Sequence, residues 1–109
     1  MNKLSLDAVG RQLLRAVSAG TSGRAAETVY GGHEKSLRQT VVALAAGRSL
    51  AEHENPGEAT VLVLSGRVRL AAGDVSWEGR QGDLIVVPQA RHSLEALSEA
   101  TVLLTVAKR

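Results

Sequence analysis

The chain begins with a helix-like pattern of apolar positions. These residues recur at three- and four-residue spacing: Leu6, Val9, Leu13 and Val17. Such spacing places them on one face of a helix, and Ser5 before them is a favourable N-terminal cap. We therefore predict a helix over residues 5–19 that ends where Gly20 forms a left-handed C-terminal cap.

Beyond this helix the apolar residues follow the alternation of β-strands. Residues 20–26 are small and polar and indicate a loop. The segments that then alternate or run apolar between glycine-containing turns are Thr28–Tyr30, Leu37–Leu44, Glu58–Leu64, Arg67–Leu70, Val75–Glu78, Leu84–Val87, Ser93–Ala96 and Thr101–Val106. About eight or nine short strands, without a second helical pattern, predict an all-β sandwich or barrel over about residues 27–107.

The composition fits one small domain with an aliphatic core. The chain has 109 residues, of which 44% are hydrophobic, and it contains one Trp, one Tyr, no Phe and no Cys. A chain of this length fits a single domain, and its core must be built from Ala, Val and Leu. The lack of Cys excludes disulfides, thiolate metal ligands and a cysteine nucleophile.

Several classes of function find no support in the sequence. The net charge of +2 is spread along the chain, whereas nucleic-acid binding needs clustered positive charge. No segment has the length of a membrane span or the pattern of a secretory leader, so we expect a cytoplasmic protein without a membrane partner. A phosphate-binding loop, a dinucleotide fingerprint and a nucleophile elbow are also missing.

Two segments resemble a known pair of motifs. Residues 47–66 read GRSLAEHENPGEATVLVLSG, and residues 82–92 read GDLIVVPQARH. They are similar to the two motifs of the cupin family, with matching positions at Gly47, His53, Gly66, Gly82, Pro88 and His92. The resemblance covers about residues 37–106. More specifically, the chain resembles the small stand-alone cupins of actinobacteria, which belong to the RmlC-like superfamily and the cupin 2 conserved barrel type.

This resemblance implies a fold and a site. The implied fold is a double-stranded β-helix, or jelly-roll barrel, preceded by one short N-terminal α-helix, with residues 1–109 forming a single cupin domain. In metal-binding cupins the first motif supplies two His and one Glu, and the second motif supplies one His. Here His53 and His92 match two of these positions, while Asn55 and Ala59 stand at the other two.

The remaining metal ligand would have to come from elsewhere. Glu58 is adjacent to Ala59 but one step out of phase, and successive residues of a strand face opposite sides. Glu58 should therefore point away from the interior unless a bulge redirects it. With that bulge, His53, His92 and Glu58 would form a two-His-one-carboxylate site for Fe, Mn, Ni or Zn. His33 is an alternative third ligand, or else an exposed loop residue.

The strand phase also predicts a ligand pocket. If Ala59 faces inward, Val61 does too, and small apolar groups then line a cavity beside His53. Leu62 and Leu64 face the other way and need a cover, either another sheet or a partner chain. Trp77 packs as a core or interface anchor or walls the pocket, and Tyr30 caps the mouth of the barrel.

Three functional hypotheses follow. The first is a cupin without an assigned reaction that binds a small molecule in its barrel, with His53, Asn55, Ala59, Val61, His92, Trp77 and Tyr30 as pocket candidates. The second is a metal-dependent enzyme, of the dioxygenase or isomerase type, with a degenerate His/Glu/His site. The third is a structural dimer with a filled barrel that acts through a partner protein. Whether the chain is an enzyme stays open, and small cupins commonly pair, so we expect a homodimer.

Overall fold

The computed structural model describes residues 3–53 and 57–108, without the side chains of residues 52, 53 and 108. This part of the chain forms one helix followed by nine strands. In chain order the elements are α1 (Leu6–Ala19), β1 (Arg24–Tyr30), β2 (Leu37–Leu44), β3 (Ser49–His53), β4 (Gly57–Ser65), β5 (Arg67–Ala72), β6 (Val75–Arg80), β7 (Leu84–Val86), β8 (His92–Ala96) and β9 (Ala100–Lys108). No helix in these ranges is long and apolar enough to span a membrane.

The strands form two antiparallel sheets that enclose one core. The first sheet has the order β1-β2-β9-β4-β7, and the second has the order β3-β8-β5-β6. Their facing sides carry aliphatic residues that form a single buried cluster, whose least exposed large members are Leu44, Val63, Val68, Leu70 and Val102. The predicted all-β barrel with one N-terminal helix is therefore confirmed, and its core is built without aromatic residues.

The helix begins as the sequence predicts but ends differently. The Ser5 hydroxyl accepts a hydrogen bond from the amide of Ala8 at 3.2 Å, and Leu13 and Val17 are buried on the apolar face. The predicted left-handed cap at Gly20 is wrong, because this residue has a φ of −101° and an extended backbone. Its amide instead donates back to the carbonyls of Ala16 and Val17, so the last turn is closed without a left-handed residue.

Two strands extend beyond what the local pattern predicts. β1 begins at Arg24, inside the predicted loop, because Arg24 pairs with Leu44 at the far end of β2. β3 has no place among the predicted segments, yet Ser49 and Leu50 pair with β8. In both cases the partner strand imposes the extended conformation, since strand propensity depends on tertiary context more than on local sequence.

Helix α1 covers the outer face of the first sheet. Leu13 and Val17 pack on Val41, Ala43 and Leu103, with Leu62 and Leu64 at the margin of the same cluster. The sequence analysis expected another sheet or a partner chain as this cover, whereas the structure places α1 of the same chain against Leu62 and Leu64. One amphipathic helix of the chain itself covers much of the second face of these strands.

The helix lies close to the sheet at Gly10. A Cβ added to Gly10 would lie 3.4 Å from the side chain of Thr101, which is an ordinary contact distance. The hydroxyls of Thr101 and Ser65 are 2.7 Å apart and form a hydrogen bond beneath the helix.

Gly10→Ala is expected to raise the free energy of unfolding by up to about 1 kcal/mol, because alanine favours the helix over glycine by that amount. Urea denaturation measures this change. Gly10→Leu is the control, since its larger side chain would collide with Thr101 and lower the stability. A loss of stability in Gly10→Ala would show that the contact is tighter than described.

Gly66 forms the turn between β4 and β5. Its φ is +77°, and a Cβ there would clash with the carbonyl oxygen of Glu99. Gly66→Ala should therefore lower the free energy of unfolding by roughly 2 kcal/mol or more. Gly73, with a φ of +62° and open space around it, is the matched control, and Gly73→Ala should lose only about 1–2 kcal/mol. Equal losses in thermal denaturation would contradict the predicted clash at Gly66.

Candidate functional site

The two motif histidines occupy paired positions on neighbouring strands. β3 and β8 run antiparallel, with Leu50 opposite Leu94 and His53 opposite His92. The β3 positions are three steps apart along the chain and the β8 positions are two steps apart, so a bulge lies between them. The bulge brings His53 into register with His92 at one end of the second sheet.

His92 is a buried polar residue of the barrel interior. Along β8 the buried positions alternate with half-buried ones, so that His92, Leu94 and Ala96 face the core. His92 is 5% exposed. The described residues around the interior cavity are aliphatic apart from this imidazole: Leu50, Val61, Leu70, Val87, His92, Leu94, Val102 and Leu104.

A backbone carbonyl fixes the tautomer of His92. Its Nδ1 lies 2.9 Å from the carbonyl oxygen of Ala90. Because a carbonyl oxygen only accepts hydrogen bonds, Nδ1 must carry the proton and donate. In the neutral ring Nε2 then holds the lone pair, so it can accept a hydrogen bond or ligate a metal.

The interior cavity is small. Its volume is about 20 Å³, whereas a pocket for a drug-sized ligand holds roughly 300–1,000 Å³. A cavity of about 10–15 Å³ is enough for one water molecule. The aliphatic side chains therefore fill most of the space that the sequence assigned to a ligand.

Strand β4 brings Ala59 and Val61 to the interior and Glu58 to the outside. Ala59 and Val61 are buried in the core cluster, while Glu58 is exposed on the opposite face of the strand. The amide of Val87 donates to the carbonyl of Ala59 at 3.0 Å. This bond joins the beginning of β4 to the segment that leads into His92. At position 59 the strand carries a methyl group, whereas the motif resemblance implies a carboxylate there.

The described side chains do not assemble a metal site. They contain no group of three or more His, Asp or Glu placed to hold one ion, and a protein metal site needs about three or four such ligands. Glu58 points away from the interior, and His33 is exposed in a turn. The barrel interior presents one imidazole, that of His92, among its described side chains. His53 lies opposite His92 in the register of β3 and β8.

The two aromatic candidates lie outside the cavity. Trp77 is 45% exposed at the edge of the second sheet, and Tyr30 is 50% exposed at the end of β1. Tyr30 borders a groove at the start of α1, on the outer face of the first sheet, so it does not cap the barrel interior. Asn55 and the side chain of His53 fall outside the described residues.

The sequence analysis did not identify most of the aliphatic residues that line the interior cavity. Leu70, Leu94 and Val102 line the cavity, and each lies on a strand whose alternation was visible in the sequence. The alternation of apolar and polar residues therefore indicated that these side chains share a face of their strand. Only the pairing of the strands shows that they line the same cavity.

Comparison with solved structures shows the same fold in bacterial proteins. A conserved Streptococcus pyogenes protein of unknown function is 27% identical, with a TM-score of 0.74 over 83% of this chain and 78% of that one. An RmlC-like cupin protein from Desulfovibrio desulfuricans is 25% identical, with a TM-score of 0.67 over 77% and 81%. A cupin superfamily protein from Desulfitobacterium hafniense is 17% identical, with a TM-score of 0.72 over 79% and 78%.

The comparison of sequences agrees with that of structures. The family described as the cupin domain matches residues 40–107, which include β3 to β8 and most of β2 and β9. A search of the curated proteins finds no match. The matched range contains both histidine positions, and the chain belongs to the cupin family.

Proposed function

We propose that this cupin is a binding protein that takes a small hydroxyl-bearing molecule at the His92 end of its barrel. The observation that supports the proposal is the buried imidazole of His92, set among aliphatic side chains beside a cavity of about 20 Å³. A binding site of this kind combines apolar surface with a few placed polar groups. Here the polar group is Nε2 of His92.

The tautomer sets the chemistry of the ligand. With the Nδ1 proton donated to Ala90, neutral His92 presents an acceptor at Nε2. A ligand with an O–H or N–H group pairs with this acceptor. A ligand that carries only acceptors makes no such bond, because two acceptors do not pair.

The size of the cavity sets how much of the ligand enters. Room for about one water molecule admits a hydroxyl group and no more of the molecule. The remainder must lie at the end of the barrel where His53 pairs with His92. Recognition of a terminal hydroxyl group, with the body of the ligand outside the core, follows from this geometry.

1-Propanol and 1-butanol, compared with acetone and butanone, which are ketones of the same carbon number, test this chemistry. The alcohols are expected to shift the amide resonances of Val87, His92 and Leu94 at millimolar concentration, and the ketones are expected to shift them much less. His92→Leu, which removes the acceptor, should abolish the response. His33→Leu, at the exposed turn, is the matched control and should retain it. Equal responses to alcohols and ketones, or none at all, would contradict the proposal.

A divalent metal bound through Nε2 is the second candidate. The register favours it, because His53 and His92 occupy opposite positions and imidazole suits Zn, Fe and Ni. The alanine at position 59 disfavours it, because no carboxylate stands at that place on β4. The described residues therefore support no reaction step, and the candidate concerns binding alone.

Elemental analysis of protein purified without chelator separates the two candidates. Binding of an organic ligand predicts less than about 0.1 metal ion per chain, unchanged by addition of Zn²⁺ or Mn²⁺ followed by desalting. Roughly one ion per chain, lost in both His53→Ala and His92→Ala but kept in His33→Ala, would favour the metal site instead.

A further inference from the structure

Strand β6 is an open edge with an exposed tryptophan. It is the last strand of the second sheet and pairs with β5. Trp77, the single tryptophan of the chain, is 45% exposed in the middle of this strand. Edge strands are commonly protected by proline, lysine or a bulge, and β6 reads VSWEGR in regular register with β5.

The hairpin turn determines which backbone groups face outward. Ala72 pairs with Val75 across the two-residue turn of Gly73 and Asp74, and residues that flank such a turn exchange hydrogen bonds. Bonded positions then alternate along β6. The amides and carbonyls of Ser76, Glu78 and Arg80 therefore point away from β5.

The hydrogen bonds at the end of β6 agree with this assignment. The amide of Arg80 donates to the Oδ2 atom of Asp83 at 3.0 Å, and its carbonyl accepts from the amide of Asp83 at 2.8 Å. The outward groups of Arg80 are thus already paired within the chain. Ser76 and Glu78 are left as the two positions at which a further strand can be added.

We propose that β6 pairs antiparallel with β6 of a second copy, with the two-fold axis at Trp77. Ser76 of each copy then lies opposite Glu78 of the other, so the two outward positions of both chains are used. Trp77 lies opposite Trp77 of the second copy. This pair of positions exchanges no backbone hydrogen bonds, and at such positions side chains approach closely. The second sheets of the two copies join into one continuous sheet of eight strands.

Charge selects this register over its neighbours. A shift in one direction places Glu78 opposite Glu78 of the second copy, and a shift in the other places Glu78 opposite Asp74. Both juxtapose carboxylates, which destabilises a pair of strands. The proposed register instead places Asp74 opposite Arg80 twice, once on each side of the axis.

The charges within one chain leave Arg80 for this contact. Glu78 is held by Arg67 and Arg69, each with a guanidinium nitrogen 3.0 Å from a carboxylate oxygen. Hydrogen bonds from Arg69 and Arg67 keep the pKa of Glu78 below its ordinary value. By contrast, neither Arg80 nor Asp74 forms an ion pair with another described residue.

Apolar burial adds to the pairing. A groove of about 390 Å³ separates β6 from β7 and is lined by Trp77, Leu84, Ile85 and Val86 together with Glu78 and Asp83. Leu84 and Val86 are 60% and 73% exposed. The indole of a second Trp77 lies over this groove in the proposed dimer, and large aromatic side chains are characteristic anchors of protein interfaces.

Sedimentation and tryptophan fluorescence on the full chain test the proposal. We expect a monomer–dimer equilibrium in which dimerisation shifts the emission of Trp77 to shorter wavelength with increasing concentration. Ser76→Pro removes one outward amide without touching the pairing with β5, and it should raise the dimer dissociation constant at least tenfold. Ser76→Ala keeps the amide and is the matched control, with an unchanged constant.

A charge exchange between copies gives a second test that does not depend on the folding of the proline variant. Asp74→Lys and Arg80→Asp should each weaken dimerisation at least tenfold, because each places like charges opposite one another. An equimolar mixture of the two variants should recover the dimer, since every pair is then of opposite charge. The mutated chains keep their own β5–β6 hairpin, so the recovery reports contact between copies.

Two results would overturn the proposal. One is a monomer at all concentrations up to several hundred micromolar. The other is a dimer that Ser76→Pro, Asp74→Lys and Arg80→Asp leave unchanged, because this dimer would use another face of the molecule. Loss of the dimer in the single variants with recovery in their mixture supports the β6 interface.

Discussion

The structure depends on the period of two along β4, which lies between β9 and β7 in the first sheet. This strand pairs with β9 on one side and with β7 on the other, so its side chains are held strictly above and below the sheet. Ala59, Val61 and Val63 enter the barrel, while Leu62 and Leu64 pass to the opposite face. A shift of one residue would exchange both sets, which would turn Glu58 into the barrel and the valines out of it.

Both faces of β4 are satisfied within the chain. The second sheet covers the inner face, and α1 covers much of the outer face. Because the inner residues are aliphatic and densely packed, the barrel retains a cavity of only about 20 Å³. His92 is therefore the chemical feature of this interior, and its backbone partner at Ala90 gives it the hydrogen bond that a buried polar group requires.

The sequence predicted the elements whose signals are local. The helix, its Ser5 cap and the alternation of β4 follow from spacing alone, and the family resemblance supplied the barrel and the place of His92. Features that depend on distant partners were not predictable in this way. β3 and the start of β1 form because β8 and β2 pair with them. The volume of the cavity depends on how side chains from several strands fit together, and the positions of Trp77 and Tyr30 depend on which strands are edges.

The position of the proton on the His92 ring is the most informative measurement, because burial, strand register and ligand chemistry all depend on that side chain. Two-bond nitrogen–proton correlation spectra of the ¹⁵N-labelled chain, recorded on its neutral histidines and assigned with His33→Leu and His92→Leu, distinguish the two tautomers. We expect a proton on Nδ1 of His92 and none on Nε2. A proton on Nε2 would contradict this expectation, since the bond to the Ala90 carbonyl would then be absent and the interior would present a donor in place of an acceptor.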